Sequence, residues 1–338
     1  MKIRSVDVVI PTYNGADLLL KFLPSVVEAC VAWVRAEADG VRHARIYVVD
    51  DASTDRTADK LHGLFPESVA VVRSTVHGGV GRAIHRGAVA GSAETILSLN
   101  NDIRVEKDFL EPLLMPFDDP GVFAVSARIL RRDASGTKWI NQSGQCLFHA
   151  EGRIRTRTLD HDVMERVTEL VEIPGGCATC AVLRRATYEQ LGGIDPLYSP
   201  FYWEDVDLFY RAMKRGYRIM YQPRSTVYHE HSVTVKREYS PKQVERIFWR
   251  NFLLFNGINI SDDRYAKEFR GYMFGLFARS VVHGEWGRLA GIADAIRQRR
   301  GVAEKRAAER ANLVVGDEAL WRKFTAWEER ILRWGEAT

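Results

Sequence analysis

Cysteine is scarce in this chain, with Cys30, Cys146, Cys177 and Cys180 the only four in 338 residues. Only the last two form a C-x-x-C pair, and a structural zinc site needs a second ligand pair at matched spacing, so neither a zinc-stapled nor a disulfide-stapled fold is expected. The pair sits in Gly175-Gly176-Cys177-Ala178-Thr179-Cys180-Ala181-Val182-Leu183, which reads as a strand of small side chains and not as the helix start of a thioredoxin-like centre. Long apolar runs are lacking too. The nearest, residues 269–282, is interrupted by Arg270, Gly271 and Arg279 and falls short of the roughly 20 residues that cross a bilayer, so any membrane role has to be peripheral. Met1-Lys2-Ile3-Arg4 leads straight into residues 6–10 without the apolar region and cleavage site of a signal peptide, and a cytoplasmic location is expected. Neither sign of charge dominates: 48 Lys and Arg against 44 Asp and Glu leave +4, which gives no argument for a nucleic-acid partner. Internal repeats and low-complexity tracts are absent.

What is present is ordinary globular composition, 46% hydrophobic and 27% charged, with length for a full core. The pattern divides into a catalytic domain over 1–240 and a helical region over 241–338. A short buried strand over residues 6–10 ends at Pro11-Thr12-Tyr13-Asn14-Gly15, and Leu18, Leu19, Phe22, Leu23, Val26 and Val27 mark a helix that Pro24 is expected to bend. A second strand, 46–49, runs into Asp50-Asp51-Ala52-Ser53-Thr54-Asp55, where Ser53 or Thr54 can cap the next helix. A third strand, 69–72, is followed by a Gly-rich turn and a helix over 81–90, and a fourth, 96–99, opens onto Asn100-Asn101-Asp102. This alternation predicts an α/β fold with a mainly parallel sheet, whose ligands bind at the carboxyl ends of the strands. Three strands therefore aim acids and amides at one edge.

The stretch from Gly192 to Gly216 adds a Gly-, Pro- and aromatic-rich loop running into Glu204, Asp205 and Asp207, after which Val206, Phe209, Tyr210 and Met213 recur at helical spacing. Carboxylates in a first helical turn either complement the helix dipole or, at such a junction, include a general base. Between 128 and 172 the periodicity weakens, predicting an irregular insertion or hairpin with strands near 146–148 and 171–173. Two short strands, 218–221 and 226–228, lead to His229-Glu230-His231, and helices follow over 241–255, 263–282, 286–311 and 317–334.

Asp102 at a strand end is a candidate ligand for a hard divalent cation, with His229 or His231 as a further ligand. The turn His77-Gly78-Gly79-Val80-Gly81-Arg82-Ala83-Ile84 is not a dinucleotide fingerprint: Ile84 stands where Gly or Ala is required, and the turn follows the third strand, not the first. It can still bring Arg82 to a base or a phosphate.

In order, Pro11-Thr12-Tyr13-Asn14, Val49-Asp50-Asp51-Ala52-Ser53-Thr54-Asp55, Asn100-Asn101-Asp102, Gly192-Gly193-Ile194-Asp195, Trp203-Glu204-Asp205-Val206-Asp207 and His229 resemble the family 2 glycosyltransferases, and more narrowly their bacterial rhamnosyltransferase-type branch, over roughly residues 5–235. The resemblance implies a GT-A fold and inverting transfer of a sugar from a nucleotide-diphosphate donor. The donor would be a UDP- or dTDP-sugar, dTDP-rhamnose among them, and the acceptor a saccharide hydroxyl, including one on a lipid-linked cell-envelope glycan. It implies Asp205 as the base with Glu204 orienting beside it. Pro11, Thr12, Tyr13, Asn14, Asp50, Asp51, Arg82, Asn100 and Asn101 would contact the nucleotide, Trp203 and Gly176 the sugar or acceptor, and Asp102 with His229, or His231 second, would hold Mn²⁺ or Mg²⁺. Two departures stand out. The family's metal motif commonly has two acids separated by one residue, and Asn100 takes the first place here; the Gly-rich turn often carries Asn where this chain has His85.

Asn100 keeps open a second reading, a sugar-nucleotide-binding partner without catalysis. A sugar nucleotidyltransferase would need a basic Gly-rich loop after the first strand, and Pro11-Thr12-Tyr13-Asn14-Gly15 has no Lys or Arg. In the helical region Arg288, Arg297, Arg299, Arg300, Lys305, Arg306 and Arg310 follow Met273, Phe274, Leu276, Phe277, Val281 and Val282, so these helices either lie on the inner face of an anionic membrane or pack with solvated basic faces. A homodimer is also left open.

Overall fold

The computed structural model describes residues 2–37, 41–65, 67, 69–133, 135–230 and 238–334. Strands β1 (Ser5–Thr12), β2 (His43–Asp50), β3 (Val69–Arg73) and β4 (Thr95–Leu99) are parallel and lie in the order β3-β2-β1-β4. Their central members are near-continuous apolar runs because both faces are covered. Helix α1 (Ala16–Arg35) packs on the face of Val6, Val8 and Ile10, passing through Pro24 as one helix, and α2 (Thr57–Leu61) adds Leu61 to that side. Helix α3 (Val80–Ala90) covers the opposite face, where Val9 and Val49 point.

Past β4 the sheet is completed out of order. β5 (Ile103–Val105) and α4 (Leu110–Leu114) lead to β6 (Val122–Arg132), its partner β7 (Trp139–Asn141), and a separate hairpin of β8 (Gln145–Ala150) and β9 (Arg153–Thr158). After α5 (His161–Arg166) and β10 (Val171–Glu172), β11 (Cys180–Arg184) inserts antiparallel between β4 and β6. Helices α6 (Arg185–Gln190) and α7 (Glu204–Lys214) precede β12 (Arg218–His229), which runs parallel to β6. The full order is β10-β12-β6-β11-β4-β1-β2-β3, mixed and mainly parallel.

Two local expectations are revised. Residues 175–179 form a loop, not part of a strand, because pairing with β4 begins only at Cys180 and Gly175 sits at φ 134°. The two strands expected over 218–228 are one, β12, whose pairing with β6 skips register between Gln222 and Thr226; that skip accommodates Pro223, which has no N–H to give a ladder.

Helix α8 (Pro241–Asn259) starts at a reciprocal Ser240–Gln243 capping box and is followed by α9 (Asp263–Val282), α10 (Trp286–Arg297), α11 (Arg299–Ala311) and α12 (Asp317–Leu332). These helices share one buried cluster with the sheet, running from Val9 and Ile84 through Phe209 and Tyr210 to Phe252, Phe255 and Trp321. Buried Lys214 of α7 joins them to the catalytic half: its ammonium donates to the Asn259 carbonyl (3.1 Å), the Ser261 hydroxyl (2.5 Å) and the Asp317 carboxylate.

Candidate active site

The carboxyl ends of β1 and β2 meet in register, Thr12 opposite Asp50, and the loops after them are tied together by their own polar side chains. Asn14, at φ 50°, accepts the N–H groups of Thr54 (2.8 Å) and Asp55 (3.2 Å), while its own N–H donates to Ser53 Oγ (2.9 Å). Asp50 accepts the Ser53 N–H at 2.9 Å. The start of α2 is held by Asp55, which accepts the Thr57 N–H (2.9 Å), rather than by Ser53 or Thr54. Asp51 accepts the N–H groups of Gly78 (3.0 Å) and Gly79 (2.7 Å), and His77 Nδ1 lies 2.9 Å from its carboxylate. Buried Pro11 ends this layer, and Asn101 donates to Thr12 Oγ1 at 2.9 Å. The Asn100 N–H donates to the Thr179 carbonyl (3.0 Å), joining the loop after β4 to the loop before β11.

The Gly-rich turn is explained by close approach. A Cβ on Gly79 would stand 2.1 Å from the Pro200 carbonyl oxygen, and one on Gly81 2.8 Å from Ile194. Arg82, one residue on, is exposed and has no ion pair among the described residues. His85 faces away into the α3–α6 contact, with Nδ1 3.0 Å from the Tyr188 hydroxyl. The Tyr13 ring packs against His77, centroids 4.1 Å apart and planes tilted by 35°, and His77 Nε2 is 3.2 Å from the Tyr239 hydroxyl.

At the same edge β12 pairs with β5, His229 opposite Ile103, which sets the imidazole beside the preceding residue, Asp102, with Nε2 3.2 Å from Oδ2. The other oxygen, Asp102 Oδ1, is buried without a hydrogen-bond donor. A buried carboxylate oxygen left bare is rare unless something else satisfies it. A carboxylate and an imidazole side by side are a fitting donor set for Mn²⁺ or Mg²⁺, which complete their shells with phosphate oxygens and water. Among the described residues no third His, Cys, Asp or Glu joins them. His231 lies outside the described residues.

The acids of α7 divide sharply. Tyr202 (φ 70°) and Trp203 (φ 76°) both hold left-handed backbone, a costly conformation for non-glycine residues that bends the chain into the first turn of the helix. Asp205 accepts the N–H groups of Ala178 (3.2 Å) and Val206 (2.8 Å). Glu204 has no such help: its Oε2 is buried and unpaired. Burial, and then the neighbouring Asp205 charge, push the Glu204 carboxyl up; burial raises Asp205 as well, opposed by the N–H groups of Ala178 and Val206. A proton shared by the pair is therefore held better by Glu204, whose Oε2 meets no donor, than by Asp205, which accepts two N–H groups. Asp207 is wholly internal and accepts from Tyr198 (2.9 Å), Asn259 (2.7 Å) and Arg211 (2.7 Å). Cys177, beside the acids, stays a thiol, pushed up to about 11 by burial, and burial raises Cys180 further.

Two residues expected at the sugar lie elsewhere. Trp203 is 4% exposed, its ring packed 4.9 Å from Phe255 and 5.3 Å from Phe252, so the indole belongs to the core and the ring open to solvent beside the acids is Tyr202, 41% exposed. Gly176 is buried where a Cβ would press on Phe209 (3.0 Å) and Ser126 (3.1 Å), and it is Ala178 that reaches Asp205. Sequence reasoning also missed Asn251 of α8, whose amide donates to the carbonyls of Tyr198 (2.6 Å), Phe201 (2.9 Å) and Tyr202 (2.9 Å) and so fixes the loop before α7. The available signal was an amide directly before the apolar run Phe252-Leu253-Leu254-Phe255. His77 and Tyr239 gave none.

Comparison with known proteins identifies the family and the fold. The chain is 26% identical over 234 residues to the pre-mycofactocin glycosyltransferase of Mycobacterium tuberculosis, covering 69% of this chain and 44% of that protein, so it spans less than half of that relative. It is 24% identical over 245 residues to the O-antigen chain rhamnosyltransferase WbaN of Salmonella anatum, covering 70% of this chain and 69% of the other. The crystal structure of GalNAc-T7 with UDP, GalNAc and Mn²⁺ superposes with a TM-score of 0.67 over 98% of this chain and 58% of that one at 16% identity, a likeness that shows the fold, GT-A. The family model described as glycosyl transferase family 2 matches residues 7–192, more than half of the sequence. The chain is a member of glycosyl transferase family 2.

Proposed function

We propose that the protein is an inverting glycosyltransferase that moves a sugar from a UDP- or dTDP-sugar, dTDP-rhamnose being the donor the WbaN likeness favours, to a saccharide hydroxyl such as that of a lipid-linked glycan. The observation that carries the reading is the pairing, at one sheet edge, of Asp102 with a bare buried oxygen beside His229, and of Asp205, which accepts two backbone N–H groups, next to Glu204, whose Oε2 is buried and bare. The loops bearing Pro11, Thr12, Tyr13, Asn14, Asp50, Asp51, Asn100 and Asn101 form the nucleoside side, with the Tyr13 ring as its aromatic wall and Arg82 as a cation for the diphosphate. Asp102 and His229 hold the divalent cation; when bound, it neutralises charge on the departing diphosphate. GalNAc-T7, of similar fold, was solved with UDP and Mn²⁺.

Asp205 takes the proton of the acceptor hydroxyl as its oxygen bonds to the anomeric carbon from the face opposite the diphosphate. The bond from that carbon to the phosphate oxygen breaks, and the nucleoside diphosphate leaves with the electron pair. General-base help of this kind is worth about 10²–10⁴ in rate. Glu204, protonated, donates to a substrate oxygen, and Tyr202 offers a ring face to the acceptor sugar in place of Trp203.

Thermal unfolding with UDP, dTDP or GDP, each with Mn²⁺, Mg²⁺ or EDTA, tests the site, since a ligand of the native state raises its midpoint. One nucleotide should stabilise the protein only with metal, and Asp102→Ala should lose that increment while the metal-free midpoint holds. Equal nucleotide affinity with and without metal would remove the metal assignment. No shift with any nucleotide would overturn the donor site and the transferase reading with it. With donor and acceptor identified, the anomeric configuration of the product by NMR decides inversion.

A further inference from the structure

The cations expected to form a membrane face over 288–310 are mostly spent inside the molecule. Arg288 pairs with Glu285 (2.5 Å), Arg297 with Asp294, Lys305 with Asp195 (2.6 Å), and Arg306 and Arg310 with Asp263 (3.2 and 3.1 Å). The unpaired surface is one helix earlier. Helix α9 packs inward through Tyr265, Phe269 and Leu276, yet its opposite side is also apolar: Phe274 is 77% exposed, Phe277 51%, Val281 54% and Val282 79%, and Trp286 just past the turn is 72% exposed. Phe274, Phe277 and Val281 follow at spacings of three and four, so they form one ridge. A contiguous exposed apolar patch of this kind marks an interaction surface.

The charges around the ridge say what covers it. Lys267 and Arg270 precede Phe274 on the same side of α9, while Arg279, two residues from both Phe277 and Val281, lies on the side toward Glu151; all three are exposed and without an ion pair among the described residues. Exposed Arg155 of β9, also unpaired, joins Arg279 around the Glu151 carboxylate, which Arg153 already holds. The other acids of α9 are engaged, Glu268 by Arg264 (3.5 Å) and Asp263 as above. A second copy placed on this ridge by a two-fold axis would press Lys267 and Arg270 against the same apolar face, whose α9 acids Glu268 and Asp263 are already engaged. We propose that the outward face of α9 with Trp286 lies on an anionic lipid surface. The apolar ridge enters the headgroup–acyl boundary, and Lys267 and Arg270 meet lipid phosphates. The ridge is convex, which a fluid surface accepts. The contact does not depend on the transferase reading.

The test is cosedimentation of the full chain with vesicles of phosphatidylcholine alone or enriched in phosphatidylglycerol. Binding to the anionic vesicles should be at least about tenfold stronger, given the worth of each cation near such a surface. Phe274→Ser/Phe277→Ser should lower that binding at least about tenfold, the loss of two buried aromatic rings. Lys267→Glu/Arg270→Glu should erase the lipid preference. Circular dichroism checks that each variant is folded, and Trp286→Ser, at the first position of α10, replaces the phenylalanine variant if it is not. Absence of binding to anionic vesicles, or equal binding by the phenylalanine variant, overturns the proposal. So does a dimer in light scattering that the same variant dissolves, which would give the ridge to a second copy.

Discussion

The two sides of α7 are built from the same residue types to opposite ends. On the inner side every charge is answered: Asp207 has three donors, Arg211 also donates to the Leu191 (2.6 Å) and Gly193 (2.8 Å) carbonyls, and Lys214 meets Asp317. On the outer side, two and three residues before Asp207, Glu204 leaves an oxygen bare and Asp205 is met only by backbone N–H groups. Buried polar groups that are satisfied hold a fold, and those left unsatisfied wait for something. The contrast gives Asp207 a structural part and leaves the proposed chemistry to its neighbours, although all three are acids in one helical turn.

Exchanging the two roles by mutation is the direct way to break that division. The largest effect is expected for Asp205→Asn, which keeps shape and removes the base. Turnover should fall about 10²–10⁴-fold, with donor binding and unfolding midpoint close to those of the parent. Wild-type-like turnover would remove Asp205 from the chemistry. Asp207→Ala should do the reverse. It strands the buried Arg211 guanidinium, a loss of about 3–5 kcal/mol by analogy with broken buried ion pairs, seen as a lower midpoint in denaturant. A stable Asp207→Ala protein without turnover would instead place Asp207 in the site.

Much of this was legible in the sequence because it is local. The apolar runs of β1 to β4, the period of α7 and the four stretches of the helical tail are written in consecutive residues, and the polar clusters past three strand ends locate the site's edge. What was not legible depends on long-range contact. The indole of Trp203 could as well have faced a sugar; only α8, folding back with Phe252 and Phe255, buries it. Asn251 carries no local signal of the loop it holds some fifty residues upstream. The basic tail looked like a surface because its counter-charges, Asp195 and Asp263, come from other elements.

The finest test of the comparison is Glu204→Gln, the smallest in effect and the most specific in sign. The Glu204 carboxyl is raised, by burial first and by Asp205 second, from its ordinary value of 4.5 to about 8. An acid raised on folding binds its proton more tightly in the native state. Its contribution to stability is therefore complete below pH 4.5 and lost as pH rises through about 8. A glutamine has no proton to lose. The midpoint of Glu204→Gln relative to the parent should thus be level at low pH and climb across that window, as followed by thermal unfolding at successive pH values. A difference that stays flat across pH would show that Glu204 does not hold the proton, and with it would go the reason for leaving Asp205 charged.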